Sequence, residues 1–457
     1  MGHRAVHGAA VDSRLVRPGV AFFALPGERT DGHRFLADAI AAGAAALVVS
    51  DAPAASAVDA LAAANDVTII LVGDTGAALR GAAAAWRDRF DPLVVGITGS
   101  LAKTSTKEVV ADVLAERWTV LRNEGNRNNE VGLPLTLLDL GPEHGAAVLE
   151  MGLYVRGDIA LLCGIARPSV GVVTAVRGVH LSRAGSIDAI VEGKRELVEA
   201  LPADGVAVLN ADDPRVAGMA GASAARVVRY GFSPEADVTA SDVSSLGTQG
   251  MRFRLRLPDA GEVEVTMPAL GRHSVHNGLA AAAVGHAAGL DAPAIARGLA
   301  RGSRAPHRTT LIETPRWRVL DDSYNAAPDS MAAALDLLAS LPGRRIAVLG
   351  EMLELGIGSR EAHRAVGRLV PATADRLVAV GSAGDDIAAG AIEAGMDAGD
   401  VLVIRDRVAA RALLLADAAP GDTFLVKASR GVELDVLVGE LVAAGGGPLA
   451  GPEASVA

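Results

Sequence analysis

Short β-branched apolar runs recur along the chain: "VAFFAL", "AALVVS", "VTIILVG", "LVVGITG", "AAVLEMG", "VGVVTAV", "GVAVLN", "RRIAVLG", "DRLVAVG", "DVLVIRD" and "DTFLVKAS". Ala-rich stretches of helical spacing separate them. A strand that is apolar on both faces and is followed by a helix belongs in a parallel sheet covered by helices, so the fold class is α/β. One segment departs from this texture. Between Ala236 and Pro268, "MRFRLRLPDAGEVEVTM" alternates polar and apolar residues around an Asp-Ala-Gly turn, which predicts an antiparallel hairpin placed as an insertion or at a sheet edge.

At roughly 150 residues per domain, 457 residues make three domains. The helix ending near Phe90 and the polar "RGSRAPHR" at Arg301 to Arg308 are the places to divide them, giving domains 1–90, 91–305 and 306–457. The last stretch, "AAGGGPLAGPEASVA", has no periodicity, and order is expected to end near residue 444. No internal repeat and no coiled-coil heptad is present.

Composition enters as a set of exclusions. No apolar run reaches the roughly 18 to 20 residues that span a bilayer. The start, "MGHRAVHGAAVDSRLVRPG", lacks the apolar core of a secretory signal, so a cytoplasmic protein without membrane insertion is expected. The single cysteine, Cys163, excludes an internal disulfide framework and a Cys-rich zinc site, and reads as a small buried apolar residue. A formal charge of −11 argues against nucleic acid as a partner, because that affinity comes from many Lys and Arg neutralising phosphates. A compact anionic ligand stays open, since loops and helix N-termini grip phosphates locally.

Such a loop is present. "VVGITGSLAKTSTKEVV" runs from a strand through a Gly-containing turn into a helix, the setting of a phosphate-binding loop. Gly96 and Gly99 permit a tight turn, the amides near Lys103 and Thr104 open a helix, Lys103 would reach the β and γ phosphates, and the Thr104 hydroxyl would ligate Mg²⁺. Where the pattern G-x-x-x-x-G-K-[ST] has its second glycine, this chain has Ala102. A left-handed backbone at an alanine costs on the order of 1 to 2 kcal/mol, which a folded domain can absorb. Glu150 ends the strand "AAVLEMG", at the sheet edge where α/β proteins place ligands, and a carboxylate beside Thr104 suits a hard cation.

Beyond the loop, "NEGNRNNEVGLPLTLL", "VLEMG", "HLSRAGS", "EGKREL", "VLNADDPRV", "GRHSVHNGLAAAAV", "DDSYNAAPDSM", "VLGEMLELG", "REAH" and "VKASRG" follow in an order that resembles the Mur ligases over nearly the whole chain. Within that family, "NRNNEVGLPLTLL" and "DDSYNAAPDS" resemble the branch that adds D-alanyl-D-alanine to UDP-N-acetylmuramoyl-tripeptide, and the "DNPR" motif of the branch adding the third amino acid is absent. The resemblance implies a UDP-sugar-binding first domain, a central ATP-binding phosphate-loop sheet and a Rossmann-like C-terminal domain that takes the amine substrate. It also implies ATP and Mg²⁺ as cofactors, an acyl-phosphate intermediate, and a monomer.

The resemblance further assigns residues. Gly99, Ser100, Lys103, Thr104 and Ser105 would hold the nucleotide, with Asn277 on the adenine and Asp322 and Asn325 near nucleotide and dipeptide. Thr104, Glu150 and His180 would be metal ligands; Lys103, Glu150, His180, Lys194 and Arg308 would carry the chemistry, Arg308 reaching ATP on domain closure. Lys194 matches a lysine that is carbamylated in related ligases, and a plain helix-face lysine is the other reading. Ser13, Arg14, Gly27, Asp31 and Gly32 would contact the uridine nucleotide. Asn126, Asn128 and Asn129 would contact the muramyl-peptide substrate, Lys427, Ser429 and Arg430 would line the amine-donor side, and Pro328 would shape the turn that carries Asp322 and Asn325. Ser274 stands where the family has an asparagine. Two other functions stay open: a Mur-type ligase for another carboxylate and amine pair, and a nucleotide-binding scaffold without catalysis, for which Ala102 is the motive.

Overall fold

The computed structural model describes residues 5–27, 30–178, 186–303 and 305–449. It contains four sheets, none of which shares a strand with another. The first consists of β1 (Ala9–Ala10), β2 (Ala21–Phe23), β3 (Ala46–Val49) and β4 (Thr68–Leu71), all parallel and in sequence order. Its apolar runs bury both faces: Phe22 and Leu47 pack with Leu36 and Ile40 on one side, and Ala21, Phe23 and Val48 meet Leu79 of the helix Thr75–Arg87 on the other.

The second sheet consists of β5 (Leu93–Thr98), β6 (Thr119–Arg122), β7 (His144–Glu150), β8 (Val170–Val173), β9 (Val206–Asn210) and β10 (Arg226–Tyr230). Its order, β10-β9-β8-β5-β7-β6, is parallel throughout and reverses direction at β5. Such a switch point opens a crevice at the C-terminal strand ends, where ligands of open α/β sheets bind. Two close approaches lock the helices over this sheet. A Cβ at Gly298 would lie 2.5 Å from Val113 Cα, and one at Gly285 would lie 2.6 Å from Val113 Cγ1. Glycine therefore lets the helices Ala292–Arg301 and Arg272–Ala287 press directly on the helix Lys103–Leu114.

The expected hairpin is present and has a third strand. β11 (Thr239–Ser245), β12 (Met251–Leu257) and β13 (Gly261–Met267) form a separate antiparallel sheet. In β12 the alternation is complete: Met251, Phe253, Leu255 and Leu257 are buried, while Arg252, Arg254 and Arg256 face solvent.

The last sheet, in the order β14-β15-β19-β16-β17-β18, comprises β14 (Thr310–Glu313), β15 (Arg318–Asp321), β16 (Arg345–Leu349), β17 (Arg376–Val380), β18 (Val401–Ile404) and β19 (Thr423–Lys427). Only β14 is antiparallel to its neighbour. Apolar clusters cover both faces, one around Leu335, Leu338 and Leu425 and the other around Trp317, Phe424 and Leu437, as in a doubly wound Rossmann-like fold. Residues 445–449, expected to lack order, instead fold back on β14, with the Leu449 amide donating to the Glu313 carbonyl at 2.8 Å. Residues 450–457 lie outside the described residues. Among the described residues, no helix is long and apolar enough to cross a membrane.

Candidate active site

At the end of β5 the chain turns beneath β8. A Cβ at Gly99 would lie 1.8 Å from Thr174 Oγ1, so this position admits only glycine. The Ser100 amide donates to Ala175 O at 2.7 Å, and the Thr174 hydroxyl donates to Leu101 O at 2.6 Å. Pinned there, the next residue must reverse the chain to start the helix, and Ala102 takes the left-handed conformation, φ 64° and ψ 2°. The left-handed backbone whose cost a folded domain can absorb is therefore the one Ala102 adopts. No side chain caps this helix, so its first amides stay available to an anion.

Lys103 lies over the loop, its Nζ donating to Gly99 O at 2.9 Å. Burial holds its ammonium below the ordinary lysine value, with Glu150 opposing and Arg308 adding to the shift. Thr104 donates its hydroxyl to Glu150 Oε2 at 2.7 Å, joining the helix start to the end of β7, and Asn128 Nδ2 donates to Glu150 Oε1 at 2.8 Å. Glu150 is buried, and its place is fixed by Asn123, whose side chain accepts from the Glu150 amide at 2.9 Å and donates to the Glu150 carbonyl at 3.0 Å. Lys107, also buried, donates to the Asn123 carbonyl.

A cavity of about 290 Å³ opens above the loop, between the second and last sheets. From one side come Ser100, Lys103, Thr104, Ser105 and Asn277, and from the other Arg308, Asp322, Asn325 and Lys427. These segments are distant in sequence, and the structure brings all nine predicted residues to one wall set. Asn277 accepts from the Thr106 hydroxyl at 3.2 Å. Asp322 receives Lys427 Nζ at 2.5 Å and the Thr309 amide at 3.0 Å, while the same Lys427 Nζ donates to Asn325 O at 2.9 Å. Lys427 thus organises the acidic wall of the cavity. Arg308 lies over the Tyr324 ring, 4.2 Å from its centroid, with Arg430 at 5.4 Å. His273 borders the cavity; burial holds it below the ordinary histidine value, Asp322 opposes this, and Lys427 and His276 add to it.

Other predicted residues lie elsewhere. Ser13 and Arg14 follow β1, and Gly27, Asp31 and Gly32 follow β2, so both groups stand at the C-terminal edge of the first sheet and away from this cavity. Arg14 pairs with Asp12 at 2.6 Å, and Asp31 holds His33 at 2.6 Å. Asn126 is exposed, and Asn129 accepts from the Gly132 amide at 2.9 Å, starting the helix Gly132–Leu137. Ser429 is buried and accepts from the Leu353 amide at 2.9 Å, and Ser274 closes its own helix start on Gly271 O at 2.7 Å. Lys194 lies on the helix Ile187–Glu199, on a face that is buried rather than exposed to solvent. Burial, reinforced by the Lys103 charge, holds it well below the ordinary lysine value. His180, Glu28 and Arg29 lie outside the described residues.

Sequence reasoning passed over Asn123, Lys107, Thr174 and Tyr324. Asn123 and Tyr324 stand inside blocks that were quoted, and Thr174 follows a strand adjacent to the switch point, which is the signal that finds it. For a metal, Thr104 and Glu150 present hard oxygen donors side by side, the donor type that Mg²⁺ prefers, and Mg²⁺ commonly takes one or two protein ligands with water and phosphate completing its shell. The residues fit that ion. No group of three or more His, Cys, Asp or Glu converges among the described residues.

Comparison with known proteins agrees with this geometry. Residues 5–87 match the Mur ligase family, catalytic domain; 97–285 match the Mur ligase middle domain; and 307–430 match the Mur ligase, glutamate ligase domain. The UDP-N-acetylmuramoyl-tripeptide--D-alanyl-D-alanine ligase of Mycobacterium tuberculosis is 40% identical, covering 96% of this chain and 93% of that protein. Its Escherichia coli counterpart is 37% identical, covering 93% and 92%. Among solved structures, MurF from Acinetobacter baumannii superposes with a TM-score of 0.85 at 30% identity, covering 95% of this chain and 93% of that one. MurF ligase from Thermotoga maritima in complex with ADP gives 0.82 at 26% identity, covering 98% and 99%. With relatives of this identity aligned along almost its full length, the chain belongs to the Mur ligase family.

Proposed function

We propose that this chain is an ATP-dependent, ADP-forming amide ligase that adds D-alanyl-D-alanine to UDP-N-acetylmuramoyl-tripeptide, supplying the pentapeptide precursor of peptidoglycan. The observation that carries the reading is the cavity itself, where a phosphate loop with Lys103 and the Thr104–Glu150 pair faces Arg308, Asp322 and Lys427 of the last domain. Relatives bearing that activity in their names support it.

Joining a carboxylate to an amine in water requires activation of the carboxylate, here as an acyl phosphate, and the protein's task is positioning and charge neutralisation. The helix amides after Ala102 and the Lys103 ammonium hold the β and γ phosphates. Thr104 and Glu150 would hold Mg²⁺, with His180 as a further candidate ligand. Bound there, the ion neutralises phosphate oxygens. Asn128 fixes the Glu150 carboxylate, and Asn277 meets the adenine. Arg308 approaches the transferred phosphoryl group from the opposite wall, while Asp322 and Asn325, held by Lys427, orient the incoming amine. Burial, reinforced by the Lys103 charge, lowers the Lys194 pKa and so favours its uncharged amine, the form that reacts with carbon dioxide. Ser13, Arg14, Gly27, Asp31 and Gly32 anchor the uridine nucleotide at the edge of the first sheet, Asn126 and Asn129 face the muramyl peptide, and Ser429 and Arg430 flank the dipeptide. The domains of this reading are 1–90, 91–305 and 306–457. The enzyme acts in the cytoplasm as a monomer.

The test is phosphate release from ATP by the purified protein with UDP-N-acetylmuramoyl-tripeptide, with and without D-alanyl-D-alanine. Release that needs both, with a product heavier by the dipeptide residue, is the expected result. ATP binding without release under any combination would reject the ligase.

A further inference from the structure

One ion pair joins the phosphate loop to the last domain, and neither the motifs nor the proposed chemistry uses it. Arg177 follows β8. Its backbone and the Ser100 side chain exchange hydrogen bonds in both directions, the Arg177 amide donating to Ser100 Oγ at 2.9 Å and that hydroxyl donating to Arg177 O at 3.0 Å. Ser100 is a wall residue of the nucleotide cavity. The Arg177 guanidinium then reaches in two directions. Nη1 donates to Asp213 Oδ2 at 2.5 Å, and Nε donates to Asp329 Oδ2 at 2.5 Å.

Asp213 belongs to the central domain and is fully fixed. It is 1% exposed, accepts the Val176 amide at 2.8 Å, and caps a short helix by accepting the Arg215 amide at 3.0 Å. Asp329 belongs to the last domain, in the first turn of the helix Pro328–Ala339, and also borders the cavity. Arg177 is therefore held on its own domain by Asp213, by Ser100 and by Nη1 donating to the Val176 carbonyl at 2.9 Å, and its Nε crosses the interdomain cleft. A planar guanidinium suits this role because its donors are rigid and diverge.

We propose that Arg177 is a positioning residue that latches the last domain to the phosphate loop, so that docking of the domain that carries Arg308, Asp322 and Lys427 and the seating of Ser100 form one equilibrium. This rests on the ATP-dependent reading of the cavity. Both ends of the crossing pair are partly exposed, 40% for Arg177 and 55% for Asp329, which sets the scale. An accessible ion pair of this kind shifts a two-state equilibrium by about two- to five-fold.

The experiment is a double-mutant cycle of Arg177→Gln and Asp329→Asn, with Arg195→Gln, a surface pair with Glu199, as control. Affinity for ATP with Mg²⁺ is read by isothermal titration and the radius of gyration of the free protein by scattering. Neither readout needs product, so a wild type that binds ATP but ligates nothing would reject the proposed function and leave the latch standing. The latch predicts that each single variant weakens ATP binding about two- to five-fold and expands the free protein. It also predicts that the double variant is no worse than either single, and that salt of about 0.5 M erases the difference from wild type. Additive losses, or an unchanged radius in both single variants, overturn it. So does restoration of Arg177→Gln by Asp329→Asn, which would mean that Arg177 only masks a negative charge beside the phosphates.

Discussion

Replacing Ala102 by glycine should stabilise the protein, although glycine is usually the more costly residue. Ala102 has φ 64° and is held there by Thr174 on the Leu101 carbonyl and by the helix bond from the Thr106 amide to Ala102 O at 2.8 Å, so it cannot relax without breaking the loop. An alanine in the left-handed region costs about 1 to 2 kcal/mol. Glycine removes that cost but adds freedom to the unfolded chain, worth roughly 0.4 to 1 kcal/mol in the opposite sense. The net gain is about 0.7 kcal/mol, or roughly 1 to 3 °C for a domain of this size. Urea denaturation at 25 °C and scanning calorimetry measure it, with Ala102→Val as the counterpart that adds a β-branched side chain to the same conformation. Because the glycine variant would keep the same backbone path, its KM for ATP should stay within about two-fold of wild type. A glycine variant less stable than wild type, or a valine variant equal to it, would refute the account of strain.

Lys103→Ala should lower phosphate release at least ~100-fold, since it removes a preorganised charge from the loop; near-normal turnover contradicts the assignment. Two acids on the helix Lys103–Leu114 and its end should respond to pH with opposite signs. Burial raises Asp112 above its ordinary 3.8, outweighing the Ser303 hydrogen bonds, so its contribution is present below 3.8 and lost as pH rises through the raised value. For Glu116 burial also pushes upward, but Arg301 and Arg297 prevail and hold it below 4.5, so its contribution is present above 4.5 and lost as pH falls through the lowered value. Urea midpoints for Asp112→Asn and Glu116→Gln across that range should deviate from wild type in opposite directions, and deviations of the same sign would break the argument. Finally, Cys163 is buried with its thiol pushed up to about 12, so a disulfide exchange reagent at neutral pH should label it only as fast as the fold opens; rapid stoichiometric labelling of the native protein would contradict this.

The parallel sheets were legible because a buried strand must be apolar on both faces, and every quoted run is a strand. Among the strands that escaped, "TVLR" in β6, "RVVRY" in β10 and "TLIE" and "RVLD" in β14 and β15 are short and carry charges where they meet solvent or a sheet edge, β1 has only two residues, and "TASDVSS" in β11 is largely polar. Glu150 and Thr104 could be paired from sequence because one ends a strand and the other opens the helix after a strand, at the sheet edge where ligands bind. The inner supports could not. Asn123 acts through backbone groups of residue 150, and Lys427 through a carboxylate and a carbonyl more than a hundred residues earlier in the chain; such contacts leave no local spacing to read. Ala102 stands between the two, since the missing glycine marked the position where a left-handed backbone would be costly, and only the fold shows that the alanine adopts it.

Each sheet is made from one unbroken stretch of chain, residues 9–71, 93–230, 239–267 and 310–427, with no strand exchanged between them. On the ribosome each can therefore close as soon as its own segment has emerged, in order from the N-terminus. The nucleotide cavity has the opposite property. Its loop is complete early, but its far wall needs Lys427, roughly 300 residues later, or about 15 to 60 s of translation. The nascent protein can thus fold its phosphate loop long before it has a compartment in which to spend ATP, and turnover is the last property the chain acquires.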